Sequence, residues 1–275
     1  MENKDHYQQN PEPKYECLLF DLDDTLYPPS SGISAQITKN IREYMCDKLG
    51  MEESTVPELC LSLYKDYGTT MAGLKAQGYK FEYDDFHGFV HGRLPYNLLK
   101  PDHVLRGLLL SLPVRKVIFT NSDKNHAATV LKRLGIEDCF ESIICFENLN
   151  PTNRPNDSAG AEETEFLQQL NTDTESLRSP VVCKPFENAY EEAFKIANIN
   201  PHKTLFFDDS IRNLQTAKQV GLQTVWVGSS HRMKDVDHAL ESIHNMKEAL
   251  PELWSDQSEN VRYAREVAIE TPVEA

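Results

Sequence analysis

Short apolar runs separated by amphipathic segments are the most regular pattern along this chain. The runs are rich in β-branched and aromatic residues, and in chain order they are Cys17–Phe20, Lys116–Phe119, Ser142–Cys145, Thr204–Phe207 and Thr224–Val227. Continuously apolar runs of this length are typical of strands buried on both faces of a parallel sheet. Because strands that alternate with helices require βαβ crossovers, the pattern predicts an α/β fold with a Rossmann-like, doubly wound, mainly parallel sheet.

Helical periodicity occupies the segments between these runs. Apolar residues at helical spacing predict a helix over Lys124–Leu134, which Gly135 then ends. A second helix is predicted over Ile211–Val220, with Ser210 as its N-cap, and a third over Phe186–Ala197. These helices supply the crossovers that a parallel sheet needs.

The segment 33–100 has a different pattern from the rest of the chain. It carries helical stretches such as Ile33–Leu49 and Pro57–Tyr67 and no convincing strand. Because it directly follows the first predicted strand, we expect an all-helical cap inserted into a core that comprises 15–32 and 101–254. A cap in this place can close over a site at the sheet edge.

Three polar segments lack the apolar residues that would offset the entropy of ordering. We expect 1–14 to be a disordered N-terminal segment, 150–180 to be a flexible insert within the core, and 255–275 to be an acidic tail. The insert is rich in Pro, Asn, Thr, Ser and Glu, and a phosphorylation or docking segment is an alternative interpretation of it.

The acidic composition limits the classes of partner. The 275 residues carry a formal net charge of −15, which opposes binding to nucleic acid or to an anionic membrane surface. It does not exclude a small phosphorylated substrate, because a bound cation can dominate a local site. No stretch approaches the roughly 20 apolar residues of a membrane span, and the N-terminus lacks a secretory signal. We expect a location in the cytoplasm or the nucleus.

Clustered carboxylates follow the first predicted strand. Phe20 leads directly into Asp21, Asp23 and Asp24, and Thr25 comes next. Ionised carboxylates packed together raise one another's pKa, so a positive charge must lie among them. A hard divalent cation such as Mg²⁺ suits these oxygen ligands, and open α/β sheets bind ligands at the carboxyl ends of their strands.

Polar residues also follow three later apolar runs that we interpret as strands, and we expect all of these polar residues to meet at one edge of the sheet. The residues are Thr120-Asn121-Ser122 after Phe119, Lys184 after Val181–Cys183, and Asp208-Asp209 after Phe207. Together with the first acidic cluster they supply a carboxylate nucleophile, hydroxyl and amide donors, an ammonium and a metal site. Phosphoryl transfer through an aspartyl-phosphate requires this set of groups.

The chain resembles the haloacid dehalogenase-like (HAD) superfamily at these positions. The superfamily motif DxDx[TV] matches Asp21–Thr25, its Ser/Thr motif matches Thr120, its Lys motif matches Lys184, and its acidic pair matches Asp208-Asp209. All four motifs occur in the family order. The resemblance extends over about residues 15–228.

The resemblance assigns a role to each motif residue. It implies that Asp21 is the nucleophile and that Asp23 protonates the leaving group and later activates water. It implies phosphate contacts from Thr120, Asn121 and Lys184, and Mg²⁺ ligation by Asp21, Asp208, Asp209 and the main-chain carbonyl of Asp23. An Asp at the second motif position favours phosphoryl chemistry over dehalogenation, because a departing halide needs no proton.

A closer resemblance is to the pyrimidine 5′-nucleotidase branch of the superfamily. The matching stretches are Phe20–Pro28, Tyr67–Leu74, His91–Asp102, Thr120–Ala127 and Phe206–Asn213. The branch implies a small phosphorylated metabolite as substrate, a nucleoside 5′-monophosphate with a preference for UMP or CMP.

Three cap residues are candidate substrate contacts, namely Tyr67, His91 and Arg93, although each can also be explained as a packed or surface residue. Other small-metabolite phosphatases and sugar phosphomutases of the superfamily share the same core motifs. A regulatory or scaffold protein that retains the fold is a further alternative.

Overall fold

One parallel sheet forms the centre of the computed structural model, which describes residues 14–151, 179–231 and 233–254. The strands are β1 (Cys17–Phe20), β2 (Arg115–Phe119), β3 (Ser142–Ile144), β4 (Thr204–Asp208), β5 (Gln223–Val227) and β6 (His238–Leu240). They lie in the order β3-β2-β1-β4-β5-β6, and each neighbouring pair is parallel. The chain winds outward from β1 in both directions, which confirms the predicted α/β, doubly wound class.

Helices alternate with the strands. The α-helices in the described ranges are α1 (Ile33–Asp47), α2 (Val56–Tyr67), α3 (Thr70–Ala76), α4 (Tyr83–Val90), α5 (His103–Ser111), α6 (Lys124–Leu134), α7 (Phe146–Leu149), α8 (Glu187–Ala197), α9 (Ile211–Gln219) and α10 (Met246–Ala249). Short 3₁₀ turns lie at Pro29–Ser31, Tyr96–Leu98, Glu137–Cys139, Pro201–Lys203, Ile243–Asn245 and Pro251–Trp254. None of the helices in the described ranges combines the length and the hydropathy of a membrane-spanning segment.

The two faces of the sheet bury separate apolar layers. On one face, Phe20 stacks on Phe207 with ring centroids 4.5 Å apart. On the other face, Phe119 meets Tyr190 of α8 edge to face at 5.3 Å. The central strands β1 and β4 are buried along their whole length. This two-sided burial explains why their sequences are continuously apolar rather than alternating.

The helices α1 to α4 build an apolar cluster of their own around Tyr44, whose ring meets that of Phe86 edge to face at 4.9 Å. Phe146, Val181 and Cys183 of the chain outside 33–100 pack into the same cluster. We call 33–100 the helical insertion and the rest of the described chain the sheet domain. The two therefore share an apolar contact. The division of the chain into core and cap stays our proposal.

Two details of the strand prediction were wrong. The strand β6 was not predicted, because its three residues are too short to show a pattern. The run Val181–Cys183 was predicted to be a strand before Lys184, but it forms none, since Val181 and Cys183 pack against the helical insertion and only Val182 packs on the sheet. The predicted N-terminal segment, polar insert and acidic tail lie outside the described residues, apart from a few residues at their ends.

Helix termini also differ slightly from the prediction. Ser210 precedes α9 as expected, but its side chain makes no capping hydrogen bond. Its backbone N–H instead donates to Asp208 Oδ1 at 2.8 Å. The start of α9 is thereby tied to the end of β4, where the candidate site lies.

Candidate active site

The loop after β1 places Asp21 at the carboxyl edge of the sheet. Its backbone N–H donates to the Phe207 carbonyl of β4 at 2.8 Å, so the strand pairing extends to this residue. Asp24 has a φ of +58°, which turns the chain sharply away from the sheet. Thr25 Oγ1 then donates back to Asp21 Oδ2 at 3.2 Å. The turn thus fixes one oxygen of the Asp21 carboxylate.

Lys184 joins the carboxylates of two strands. Its Nζ donates to Asp21 Oδ1 and to Asp208 Oδ2, each at 2.7 Å, and to the Phe119 carbonyl at 2.9 Å. The side chain is 1% exposed. Burial alone would lower the pKa of Lys184, but the Asp208 and Asp21 carboxylates outweigh burial and hold that pKa above its ordinary value. Lys184 is therefore a permanent buried cation.

Three carboxylates converge beside this ammonium. One oxygen from each of Asp21, Asp208 and Asp209 lies within 4.8 Å of the others. Burial, together with the charge of neighbouring carboxylates, raises the pKa of Asp21 to about 7 and that of Asp209 to about 8. The negative charge at this point exceeds what Lys184 can neutralise, and the donors are all hard oxygens, so the residues fit a divalent cation such as Mg²⁺.

The two members of the acidic pair are held in different ways. Asn213 donates from Nδ2 to both carboxylate oxygens of Asp208 at 3.0 Å. Asp209 is held through its main chain, because Trp226 of β5 donates from its indole to the Asp209 carbonyl at 2.9 Å. The Asp209 carboxylate is consequently the less constrained of the two.

Asp23 has a separate set of partners. Its Oδ1 accepts from the Tyr27 hydroxyl and contacts His126 Nε2 at 2.7 Å, and its Oδ2 accepts from the Ser122 hydroxyl at 2.6 Å. Burial would raise the pKa of Asp23, but His126, Ser122 and Tyr27 outweigh burial and hold that pKa well below its usual range. The same contact raises the pKa of His126 against the effect of its burial. The proton of this pair consequently resides on His126.

The loop after β2 supplies Thr120 and Asn121. Thr120 Oγ1 accepts from the Ser122 backbone N–H at 3.1 Å, which orients the hydroxyl. The Asn121 side chain accepts from the Lys184 backbone N–H at 2.9 Å and donates to the Lys184 carbonyl at 3.0 Å. Asn121 therefore positions the Lys184 segment, and its contact with phosphate stays a prediction.

A cavity of about 460 Å³ lies between the site and the helical insertion. Asp23, Asn121 and Ser122 line it on the sheet side, and residues of α1 to α4 line the rest. Of the three predicted substrate contacts, His91 belongs to this lining. Tyr67 is packed into the apolar cluster of the insertion, and Arg93 lies at the surface, where it pairs with Glu43.

Comparison with known families accounts for this arrangement. A family model for haloacid dehalogenase-like hydrolases matches residues 15–221, which includes every motif residue described above. The chain belongs to the haloacid dehalogenase-like hydrolases. The family resemblance predicted from the motifs is thereby confirmed.

Individual proteins share sequence or fold with this chain. The chain is 27% identical over 243 residues to Phosphate metabolism protein 8 of Saccharomyces cerevisiae, covering 85% of this chain and 67% of that protein. The fold is similar to that of CbbY from Rhodobacter sphaeroides in complex with phosphate, with a TM-score of 0.52, 16% identity, and coverage of 87% of this chain and 99% of that one. It is also similar to a HAD phosphatase from Thermococcus onnurineus, with a TM-score of 0.51, 16% identity, and coverage of 85% and 96%. At these identities the solved structures establish a shared fold.

Sequence reasoning missed two of the residues that surround Asp23, namely Tyr27 and His126, and it named Ser122 without this contact. Each lies in a stretch that resembles the family, within a few positions of a motif residue. His126 stands in the first turn of α6, directly beyond the loop that carries Thr120. A polar residue in the first helical turn after a site loop is a signal that could have found it.

Proposed function

We propose that the protein is a Mg²⁺-dependent phosphomonoester hydrolase that transfers the phosphoryl group to Asp21 and then to water. The observation that supports this most directly is the buried Lys184 ammonium, which lies 2.7 Å from both Asp21 and Asp208. Phosphoryl transfer depends on positioning and on neutralisation of the equatorial oxygens. A buried cation fixed beside a carboxylate nucleophile meets both requirements.

The first half-reaction uses the residues at the ends of β1, β2 and β4. An Asp21 carboxylate oxygen attacks the phosphorus, and Lys184 favours the ionised form of that carboxylate and aligns it. The Thr120 hydroxyl donates to a phosphoryl oxygen. Asp21, Asp208, Asp209 and the Asp23 carbonyl would hold a Mg²⁺ ion, which would supply further neutralisation of the phosphoryl charge.

Asp23 and His126 transfer the protons of both half-reactions. In the first half-reaction the proton held at His126 Nε2 passes through Asp23 Oδ1 to the leaving oxygen. In the second half-reaction Asp23 accepts a proton from the water that attacks the phosphorus of the acylphosphate and passes it to His126 Nε2, which restores the starting protonation state. The 2.7 Å contact between the two side chains supports this exchange.

We further propose that the substrate is a nucleoside 5′-monophosphate, with UMP and CMP preferred. The resemblance to the pyrimidine 5′-nucleotidase branch supports this choice, as does a cavity of about 460 Å³ beside Asp23, a volume within the range of small-molecule sites. The name of the yeast relative, Phosphate metabolism protein 8, agrees with a role in phosphate metabolism. We expect the protein to meet such metabolites in the cytoplasm or the nucleus.

Phosphate release tests the proposal. Purified protein with Mg²⁺ is assayed against UMP, CMP, AMP, GMP, sugar phosphates and an aryl phosphate, with Asp21→Asn as the matched control. Preference for UMP and CMP supports both the reaction and the substrate. Preference for another metabolite supports the hydrolase reaction but contradicts the nucleotidase assignment. Turnover that requires a bisphosphate primer indicates a phosphomutase. No phosphate release from any substrate favours a regulatory protein.

A further inference from the structure

A second group of metal-ligating side chains lies at the junction between the helical insertion and the sheet domain. His87 lies on α4, His91 follows four residues later at the C-cap of that helix, and Asp123 is the N-cap of α6. One ligand atom from each lies within 4.8 Å of the others. The three residues are 8%, 8% and 3% exposed, so the group is buried.

His87 is the unusual member of this group. Neither of its ring nitrogens has a hydrogen-bond partner among the described residues, although both are buried. Its Nδ1 points towards Asp123 Oδ2, at 3.6 Å. A buried polar group without a partner carries the full cost of its desolvation. The arrangement therefore leaves an imidazole nitrogen directed at a carboxylate with a gap between them.

The protonation states suit a cation in that gap. Burial, assisted by the neighbouring His91, lowers the pKa of His87 to about 4, and burial also lowers the pKa of His91. Burial opposes ionisation of Asp123, but the contact with His91 outweighs it and holds that pKa well below its usual value. Two neutral imidazoles and an ionised carboxylate are the forms that bind a metal without first releasing protons.

The supporting contacts also match a metal site. Asp123 Oδ1 accepts from the backbone N–H groups of Asn125 and His126 at 2.9 and 3.0 Å, which leaves Oδ2 facing the two histidines. Outer contacts of this kind fix the orientation of a ligating carboxylate. The third imidazole nearby, that of His126, is already engaged by Asp23 and Tyr96. The site would therefore consist of three protein ligands.

We propose that His87, His91 and Asp123 bind a transition-metal ion of the Zn²⁺ class, at a site formed by residues other than the Asp21, Asp208 and Asp209 cluster. Two imidazoles and one carboxylate favour Zn²⁺ over Mg²⁺, because nitrogen ligands suit the softer ion. His87 and His91 also line the cavity, so a fourth coordination position is open to water or to a ligand. The ion would join α4 of the insertion to α6 of the sheet domain.

Cobalt spectroscopy tests the site without reference to enzymatic activity. The full-length protein is stripped with a chelator, saturated with Mg²⁺ and titrated with Co²⁺, whose visible absorption reports its ligands. We expect saturable d–d bands that an equivalent of Zn²⁺ displaces. His87→Phe should abolish the bands, whereas His103→Phe on the exposed side of α5 should retain them.

Two further variants keep the test decisive. Asp209→Asn, which alters the carboxylate cluster, should leave the cobalt bands unchanged. Metal-free His87→Phe should melt no lower than the metal-free wild type, because an aromatic ring replaces an unpaired imidazole that lies 4.8 Å from the Phe146 ring. His87→Gln, with a smaller side chain, repeats the experiment if the Phe variant fails to fold.

The proposal is overturned by any of three results. The first is that the wild type shows no cobalt bands in the presence of Mg²⁺. The second is that the bands persist in folded His87→Phe or His87→Gln. The third is that they disappear in Asp209→Asn, which would assign them to the carboxylate cluster.

Discussion

Lys184 determines the electrostatics of the candidate site at the scale of single residues. Its ammonium faces both Asp21 and Asp208 in a region from which water is almost excluded. A buried ion pair adds little net stability, but removing one partner leaves an uncompensated charge in a medium of low polarity. The residue is therefore more sensitive to substitution than an ordinary surface lysine.

Replacement of Lys184 should be strongly destabilising. In Lys184→Met two buried carboxylates lose their cation, and we expect the free energy of unfolding to fall by about 3–5 kcal/mol and phosphate release to be lost. Urea denaturation measures the first effect. The control is Lys195→Met, which removes an exposed pair with Glu192 and should cost about 0–1 kcal/mol; equal losses in the two variants would contradict this account.

The carboxylate cluster should make the metal-free protein less stable as the pH rises. Asp21 and Asp209 have folded-state pKa values of about 7 and 8, above the ordinary value of 3.8. Between the unfolded-state and folded-state pKa values, the folded protein binds more protons than the unfolded protein. The contribution of the pair to the free energy of unfolding is therefore complete below about pH 4 and is lost as the pH rises through about 7–8.

Asp209→Asn should reduce the loss of stability with rising pH when both proteins are kept metal-free by a chelator. We expect the fall in unfolding free energy from pH 5 to pH 8 to be smaller than in the wild type by at least about 1.4 kcal/mol, the equivalent of one pKa unit. Saturating Mg²⁺ should have a similar effect on the wild type. If the unfolding free energies of the two metal-free proteins change with pH in parallel, Asp209 does not contribute to the loss of stability.

The motif residues could be predicted from the sequence, whereas the partners of Asp23 could not. Three carboxylates after a buried strand indicate a cation locally, without knowledge of the fold. His126 reaches Asp23 across 103 positions of the chain, and only the packing of α6 beside β1 creates that contact. Asn121 likewise serves Lys184 because the two loops meet in space.

At the scale of elements, the C-terminus of α2 lies against the segment that carries Lys184. Gly68 follows α2 with a φ of +82°, and a Cβ at this position would lie 2.5 Å from the Lys184 carbonyl oxygen. Real structures do not contain a contact this short. Close packing of the insertion on the site thus depends on the absence of a side chain at this position.

Gly68→Ala should move the Lys184 segment, lower phosphate release and reduce stability by about 1–3 kcal/mol. Gly78→Ala is the matched control, because Gly78 has a φ of +85° but no atom within 4 Å of the position that a Cβ would take. It shares the positive φ of Gly68 without the clash. Thermal melts and activity assays of the two variants should differ clearly, and identical behaviour would contradict the proposed close contact.

The elements that the sequence did not predict correctly depend on tertiary contacts. The strand β6 is added to the sheet where Asp237 accepts from the Thr224 N–H and hydroxyl, both at 3.0 Å, and its three residues carry no periodicity. The apolar run Val181–Cys183 has the composition of a strand, yet Val181 and Cys183 pack on the insertion. Composition indicates burial, but the burying surface lies elsewhere in the chain.

At the scale of the whole molecule, the insertion is attached to the sheet domain on both sides of the cavity. Arg212 of α9 donates to the Tyr64 and Lys65 carbonyls of α2 at 3.2 and 2.6 Å. On the other side His91 contacts Asp123. These contacts hold the helices over the site, so access of a substrate depends on them.

Arg212→Met should loosen one of these attachments. Loss of hydrogen bonds worth about 1 kcal/mol should speed amide hydrogen exchange at the end of α2 by roughly fivefold. We expect KM to rise more than kcat falls, because Arg212 lies outside the reacting groups. Unchanged exchange in α2, with unchanged KM, would show that the Arg212 contacts do not hold the insertion in place.

Trapping of a phosphorylated Asp21 tests the central claim most directly. The protein is mixed with Mg²⁺ and the best substrate of the panel, quenched in acid within milliseconds, and digested for mass spectrometry. We predict that one phosphoryl group appears on the peptide containing Asp21 in the wild type, and that Asp21→Asn shows neither this adduct nor turnover. Substrate hydrolysis by folded Asp21→Asn at the rate of the wild type would contradict the assignment of Asp21 as the nucleophile.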